Sequence, residues 1–413
     1  MADIDVYLST KSKINQANIG RLSKLENTHV FSYQPNAQQA LSLTMPMRTE
    51  SYSYPDLHPL FQMNLPEGHL RQAIERATAK KYGSDDLTML TLLGTNQIGR
   101  LSYAIANKPL VEQSQNTPDL KSMLSSEDAN LFAQLLQQYA TSSGVAGVQP
   151  KVLMDITTKI KDKATLPLQS YIVKSWGNEY PELGCNEFSC LTLAKEAGLP
   201  VADFYLSDNA KLFISKRFDC DKDNNPLGFE DFCVLQAKTT KEKYDASIES
   251  CVNTIAQYVS PIFRQQALYD FFKLTLVNIL IRNGDAHLKN IGIIYKDLYQ
   301  YKQGQLPKTE RKLAPFFDIV STVPYISADT MALSLTGSKR WPKWKVLQKF
   351  ANQHCGLSTK KSNQALEEVM SARQATIKVL ESLADKHPSF TQISEKIQEL
   401  IHSGIRVIYL HTP

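Results

Sequence analysis

The sequence predicts an α+β chain of two lobes, with a β-rich N-terminal subdomain and an all-helical C-terminal lobe. Three observations predict it. Residues 1–55 carry β-branched and aromatic residues at alternating positions between polar turns. From about residue 240 onward the apolar spacing becomes helical, broken only over 282–345. At 413 residues the chain exceeds the size at which one core stops growing. The polar, two-proline stretch "ANKPLVEQSQNTPDLKS" supplies a first linker, and the expected domains are 1–110, 111–240 and 241–413.

In chain order, "DVYLS", "GRLSKL", "HVFSY" and "ALSLTMP" read as strands. "LPEGHLRQAIERATAKKYG" has a Pro-Glu start, helical apolar spacing and a closing Gly, which mark a helix. "TLLGTNQIGRLSYAI" reads as a strand pair with Gly turns. "KVLMDI" (151–156), "LQSYIVKSW" (168–176) and "KLFISKRFD" (211–219) read as strands, and "NEFSCLTLAKEAGL" (186–199) as an amphipathic helix. "FFKLTLVNILI" reads as a buried helix.

Composition excludes several classes. A hydrophobic fraction of 42% with 21% charged residues is ordinary for a folded protein and argues against disorder. The net charge of +5 is too mild to identify a nucleic-acid binder. Six cysteines form no C-x-x-C pair, so neither a zinc ribbon nor a disulfide framework is indicated. "MADIDVYLST" lacks the basic and apolar regions of a secretory signal, and "LTLVNILI" is too short to span a bilayer, so a cytoplasmic placement without membrane is expected.

Four stretches carry chemistry. In "SSGVAGVQPKVLMDI" (142–156), Gly144 and Gly147 precede a strand, so backbone N–H groups can turn inward around an anion. The alternative is a plain glycine turn. Lys174 interrupts the apolar strand "YIVKSW"; it either snorkels at an edge or is held over phosphates, in which case Glu187 on the next helix can position it. In "RNGDAHLKN" (282–290), Asp285 and Asn290 stand five apart, the D-x-x-x-x-N spacing that lets the Asp orient a hydroxyl while the Asn holds a metal. His287 is either a cap or part of that site. In "LAPFFDIVST", Asp318 at an apolar strand end is either a turn residue or a second metal-holding carboxylate. Glycine loop, strand Lys with helix Glu, D-x-x-x-x-N and then Asp is the order found in a protein-kinase-like phosphotransferase.

"GVAGVQPK", "YIVK", "NEFSCLTLAKEAGL", "KRFD", "NGDAHLKN" and "PFFDIVST" together resemble the HipA family of bacterial serine/threonine kinases, toxins of toxin–antitoxin pairs. "LSLTMP", "LPEGHLR" and "LLGTNQIGRLSY" look like the β-rich subdomain that opens such proteins, so the resemblance covers nearly the whole chain. It implies a two-lobed, protein-kinase-like fold and ATP with Mg²⁺ as cofactors. Asp285 would be the catalytic base, and Asn290 and Asp318 would hold the metal. His287 and Lys289 would lie near the phosphates and Lys174 at the α/β-phosphates, with Glu187 as its partner. The loop Gly144, Val145, Ala146, Gly147, Val148, Gln149 to Lys151 would cover the phosphates, and the backbone of Lys216, Arg217 and Phe218 would form the adenine hinge.

The resemblance further implies a HipB-like helix-turn-helix antitoxin, dimeric, with operator DNA reached through that complex. The protein substrate would be an aminoacyl-tRNA synthetase such as glutamyl-tRNA synthetase. Family members switch off by autophosphorylating a serine just before the glycine loop. Here that position is Gly144, so Ser143, or failing it Ser142, is the expected site. A serine phosphate adds roughly −1.5 to −2 charge and would not stay beside ATP phosphates.

Two other readings compete. A metal-dependent hydrolase would draw several His and Asp ligands from separate segments, whereas the eight histidines here are scattered. A corepressor would use a kinase fold mainly to dock a DNA-binding antitoxin. The basic-aromatic "SKRWPKW" (338–344) is either a nucleic-acid contact or a loop with partly buried tryptophans.

Overall fold

Ile4, Val6 and Leu8 alternate along the first strand and all three are buried, while Asp5 between them is held by the Arg21 guanidinium at 3.0 Å. That two-residue period makes a strand with one face on a core. In the computed structural model it is β1 (Ile4–Leu8), in one sheet with β2 (Ala17–Leu25), β3 (Thr28–Tyr33), β4 (Tyr52–Tyr54) and β5 (Leu101–Ile105). Their order is β4-β3-β2-β1-β5, with every determined pairing antiparallel. The structure describes residues 3–9, 17–68, 71–72, 74–75, 85–94, 97–110, 117–128, 130–139, 151–156 and 169–409.

The chain divides into two compact units. The first comprises residues 1–175, 207–240 and 293–311, and the second residues 176–206, 241–292 and 312–413.

Two expectations for the first unit are corrected. "ALSLTMP" is irregular, because side chains take its backbone donors: Leu41 N–H donates to the Tyr33 hydroxyl at 2.8 Å and Leu43 N–H to Glu230 at 2.7 Å. A ladder needs those donors. "TLLGTNQIGRLSYAI" is not a strand pair, since "TLL" ends the helix Asp86–Leu93, started by the Asp85 cap on Thr88 N–H. Among the described residues there, only β5 is a strand. Of the helix expected at 65–83, residues 68, 71–72 and 74–75 are helical, and most of the rest lies outside the described residues.

Glu230 is fully buried and gathers three segments of this unit. It accepts from Ser42 Oγ at 2.8 Å, from Leu43 N–H, and from the Tyr295 hydroxyl. Burial raises its carboxyl above the ordinary range, and the Tyr295, Leu43 and Ser42 hydrogen bonds pull the other way. Glu230→Ala strands these donors and is expected to remove about 3 kcal/mol of stability in urea unfolding. Because the folded state holds this proton more tightly than the unfolded chain, the contribution of Glu230 falls as pH rises through the glutamate range. Glu230→Gln should therefore lose less stability than wild type between about pH 4 and 6.

A second antiparallel sheet of this unit pairs β6 (Lys151–Ile156) with β7 (Gln169–Lys174), and β7 with Phe213–Lys216. All three strands match the sequence reading. The second unit is helical. Pro261–Leu280 starts on Pro261 at its first turn and buries Phe271, Phe272, Leu274, Leu276, Val277 and Leu280. Lys273 is accommodated among them by Glu368 at 2.9 Å and the Gly198 carbonyl at 3.2 Å. The long helix Thr359–Lys386 packs on Pro261–Leu280 and on Leu183–Glu196. The last of these is the expected helix, begun three residues early. Among the described residues, no helix is long and apolar enough to cross a membrane.

Candidate active site

The helix Pro261–Leu280 ends with Ile281 still α-helical, and Arg282 then takes φ +56°. A left-handed non-glycine residue costs about 1–2 kcal/mol, so the surroundings must enforce it. They do so here: the Arg282 carbonyl accepts from Thr322 N–H at 3.2 Å and from Thr322 Oγ1 at 3.0 Å, and that same Oγ1 accepts Gly284 N–H at 2.8 Å. Gly284 is required, because a Cβ there would strike the Asp329 carboxylate and the Thr330 carbonyl.

Both ends of Asp285 are fixed. Its N–H donates to Asn283 Oδ1 at 3.0 Å, and its carbonyl accepts Asn290 Nδ2 at 2.9 Å and His287 N–H at 2.8 Å. The five-residue spacing thus has a structural use: the Asn290 amide closes the loop and its Oδ1 is left as a ligand atom. Between them Leu288–Asn290 is a single 3-10 turn preceded by His287. His287, Lys289 and Asn290 are buried, while the Asp285 side chain is 49% exposed. His287 Nε2 lies 3.8 Å from Asp285 Oδ1. Desolvation raises the Asp285 carboxyl; a Tyr244 hydrogen bond and the Lys243 charge oppose this, while Asp318 and Asp329 add to it.

Asp318 does not sit on a strand end. The strand Arg311–Leu313 stops five residues earlier, and Asp318 takes φ +58° in irregular chain. Ser321 anchors that chain: its N–H donates to Asn186 Oδ1 at 2.9 Å, its carbonyl accepts Asn186 Nδ2 at 2.8 Å, and its Oγ donates to the Ile281 carbonyl at 2.6 Å. "DIVST" is therefore a clasp that ties the Asp318 segment to the helix Leu183–Glu196 and, through Thr322, to the Asp285 loop. The like charge of Asp318 adds to the rise of the Asp285 carboxyl, and a divalent cation would relieve it. Among the described residues, no group of three His, Cys, Asp or Glu is gathered as a metal cluster.

In the first unit, Lys151 and Lys174 stand directly opposite each other across β6 and β7, and both are buried. Opposed residues share a face, and two ammonium groups so placed suit an anion. Lys174 Nζ also lies 5.6 Å from the Phe213 ring. In the expected hinge, Arg217 N–H is already given to the Ser170 carbonyl at 2.9 Å. Its guanidinium holds Asp219 at 2.9 and 2.6 Å, and the Phe218 ring lies edge-on to Phe229. Lys216 ends its strand opposite Tyr171. Glu187 is buried on its helix in the second unit, whereas Lys174 belongs to the first. Ser142, Ser143 and the loop Gly144–Gln149 lie outside the described residues.

Sequence reasoning missed Tyr244, Lys243, Asn186, Ser321 and Thr322. Tyr244 donates to Asp285 from 41 residues upstream, and no local spacing announces it. In "SKRWPKW", Trp344 is buried and Trp341 donates from Nε1 to the Asp329 carbonyl with the Arg282 guanidinium 5.0 Å over its ring. The tryptophans serve the fold, which favours the second reading of that patch.

The family model of the HipA N-terminal domain matches residues 11–104, and that of the HipA-like C-terminal domain matches residues 143–377. A Sinorhizobium fredii protein named "Putative kinase Y4dM" is 27% identical over 365 residues, covering 82% of this chain and 81% of that protein. A second protein of that organism, "Putative kinase Y4mE", is 28% identical over 305 residues, covering 69% of each. Among solved structures, Shewanella oneidensis HipA, determined with HipB and its operator DNA, superimposes with a TM-score of 0.67 at 19% identity, covering 97% of both chains. The α+β, protein-kinase-like fold is thus shared with a HipA toxin. With more than half of its length matched by the C-terminal domain alone, the chain belongs to the HipA family.

Proposed function

We propose that the chain is an ATP-dependent serine/threonine protein kinase, the toxin of a toxin–antitoxin pair. The observation that carries this reading is the Asp285 loop, with backbone fixed at both ends and a half-exposed carboxylate between a tyrosine donor and a histidine. Asp285 accepts the proton of an incoming serine or threonine hydroxyl as that oxygen bonds to the γ-phosphorus of ATP and the bond to the β,γ-bridging oxygen breaks, releasing ADP. Asn290 Oδ1 and Asp318 hold Mg²⁺, which neutralises charge on the phosphates when bound. Lys174 and Lys151 would contact the phosphates, and His287 and Lys289 are assigned to the same role by the family resemblance. Phe218 and the carbonyls around it receive the adenine, since Arg217 N–H is engaged.

Lys174→Met removes one of two opposed ammonium groups and is expected to weaken binding of a fluorescent ATP analogue by about tenfold or more, as measured on the folded fraction. Unchanged affinity would remove Lys174 from the site. Growth arrest follows in this reading from phosphorylation of a host protein, an aminoacyl-tRNA synthetase such as glutamyl-tRNA synthetase being the expected class. Autophosphorylation on Ser143 or Ser142 would eject the glycine loop and end activity. Mass spectrometry after incubation with Mg-ATP checks this, and phosphate found only elsewhere rejects it.

A corepressor role stands beside catalysis, and the Shewanella complex with HipB and operator DNA supports it. The partner would be a dimeric helix-turn-helix antitoxin that brings the chain to DNA. Asp285→Asn should leave that partnership intact, as measured by co-purification with the antitoxin.

A further inference from the structure

We propose that Tyr244 is a positioning residue for Asp285, fixing which carboxylate oxygen receives the substrate hydroxyl; this rests on the kinase reading above. Its hydroxyl donates to Asp285 Oδ1 at 2.6 Å. Among the described residues this is the one hydrogen bond to that carboxylate. A carboxylate turns about a broad, roughly two-fold torsion, so with neither oxygen held both would sample the substrate's place. With Oδ1 occupied, Oδ2 is presented as the acceptor, and the turning freedom is lost before the substrate arrives.

Tyr244 is itself well placed to orient something. The preceding Lys243 carbonyl accepts Leu288 N–H at 3.2 Å, which ties this backbone to the Asp285 loop. The Tyr244 carbonyl accepts Lys339 Nζ at 3.1 Å, and Ala246 and Ser247 pair with Ser334 just beyond. Its ring meets the His287 ring edge-on, with centroids 5.2 Å apart and planes at 74°. Yet the residue is 37% exposed. A tyrosine kept for core packing would be buried, whereas this one is anchored at its backbone and ring edge and spends its hydroxyl on the base.

The test is Tyr244→Phe in the full chain, which keeps the ring and deletes only the donor. With Mg-ATP, the rate of phosphate transfer onto the chain's own serines is expected to fall about 10- to 100-fold, with KM for ATP within twofold and the melting temperature unchanged. A structural role would move the melting temperature and leave the kcat of the folded fraction alone. A kcat within twofold of wild type overturns the proposal. So does phosphate found on Tyr244, which would make its hydroxyl a substrate. Asp285→Asn is run in parallel: if it retains transfer, the kinase reading fails and the role of Tyr244 with it. If it abolishes transfer while Tyr244→Phe does not, only the positioning role fails.

Discussion

Asp285→Asn is expected to lower phosphate transfer by about 10²–10⁴-fold while ATP binding stays within a few-fold of wild type. The substitution keeps shape and volume. The backbone bonds that hold the loop, Asn283 Oδ1 to the Asp285 N–H and Asn290 Nδ2 to its carbonyl, do not use the side chain and survive. What disappears is the ability to take a proton. An asparagine Oδ1 can still accept the Tyr244 hydrogen bond, so the melting temperature should hold. It should even rise slightly, because the repulsion from Asp318 and Asp329 is relieved. Single-turnover transfer and a nucleotide titration on the same preparation separate the two effects. Loss of ATP binding equal to the loss of rate would make Asp285 a ligand and not a base.

Asn186→Ala is expected to lower stability by about 2–4 kcal/mol and to reduce transfer more than the unfolded fraction explains. Asn186 and Ser321 are fully buried, and the amide pairs with both backbone groups of Ser321. Truncation leaves a buried N–H and C=O without partners, each costing about 1–3 kcal/mol. The Cys190 thiol also loses its acceptor, Asn186 Oδ1 at 3.3 Å. Asp318 sits three residues before Ser321 in a left-handed conformation that an L side chain adopts only when held. Freeing Ser321 lets it relax. Denaturant unfolding followed alongside transfer activity checks both halves, and a stability change below about 0.5 kcal/mol would show that the clasp is dispensable.

The legible parts of the chain were those where chemistry is local. The alternating Val6 and Leu8 of "DVYLS" announced β1, and the largely apolar run over 271–281 announced the buried end of a helix. The Asp285–Asn290 spacing drew attention as the D-x-x-x-x-N of a base and a metal-holding amide, while the reach of the Asn290 amide back to the Asp285 carbonyl came from the structure. "ALSLTMP" misled because its pattern is that of a strand while its donors go to Tyr33 and Glu230, partners remote in sequence. Tyr244 and Asn186 were invisible for the same reason. Each acts through a single long-range hydrogen-bonding group, and neither sits in a pattern that a period of two or 3.6 would reveal. "DIVST" drew attention to its aspartate alone, although its Ser and Thr hold the segment in place.

Transfer of the ATP γ-phosphate to a protein hydroxyl at Asp285 is read out with γ-labelled ATP. Wild-type chain and Asp285→Asn are incubated with Mg²⁺ and a host lysate, and protein-bound label is compared with free phosphate. Mg²⁺-dependent label is expected on serine or threonine of the chain and of a lysate protein, lost with Asp285→Asn and with chelator. Label released only as free phosphate, or protein-bound label equal in Asp285→Asn, would contradict it.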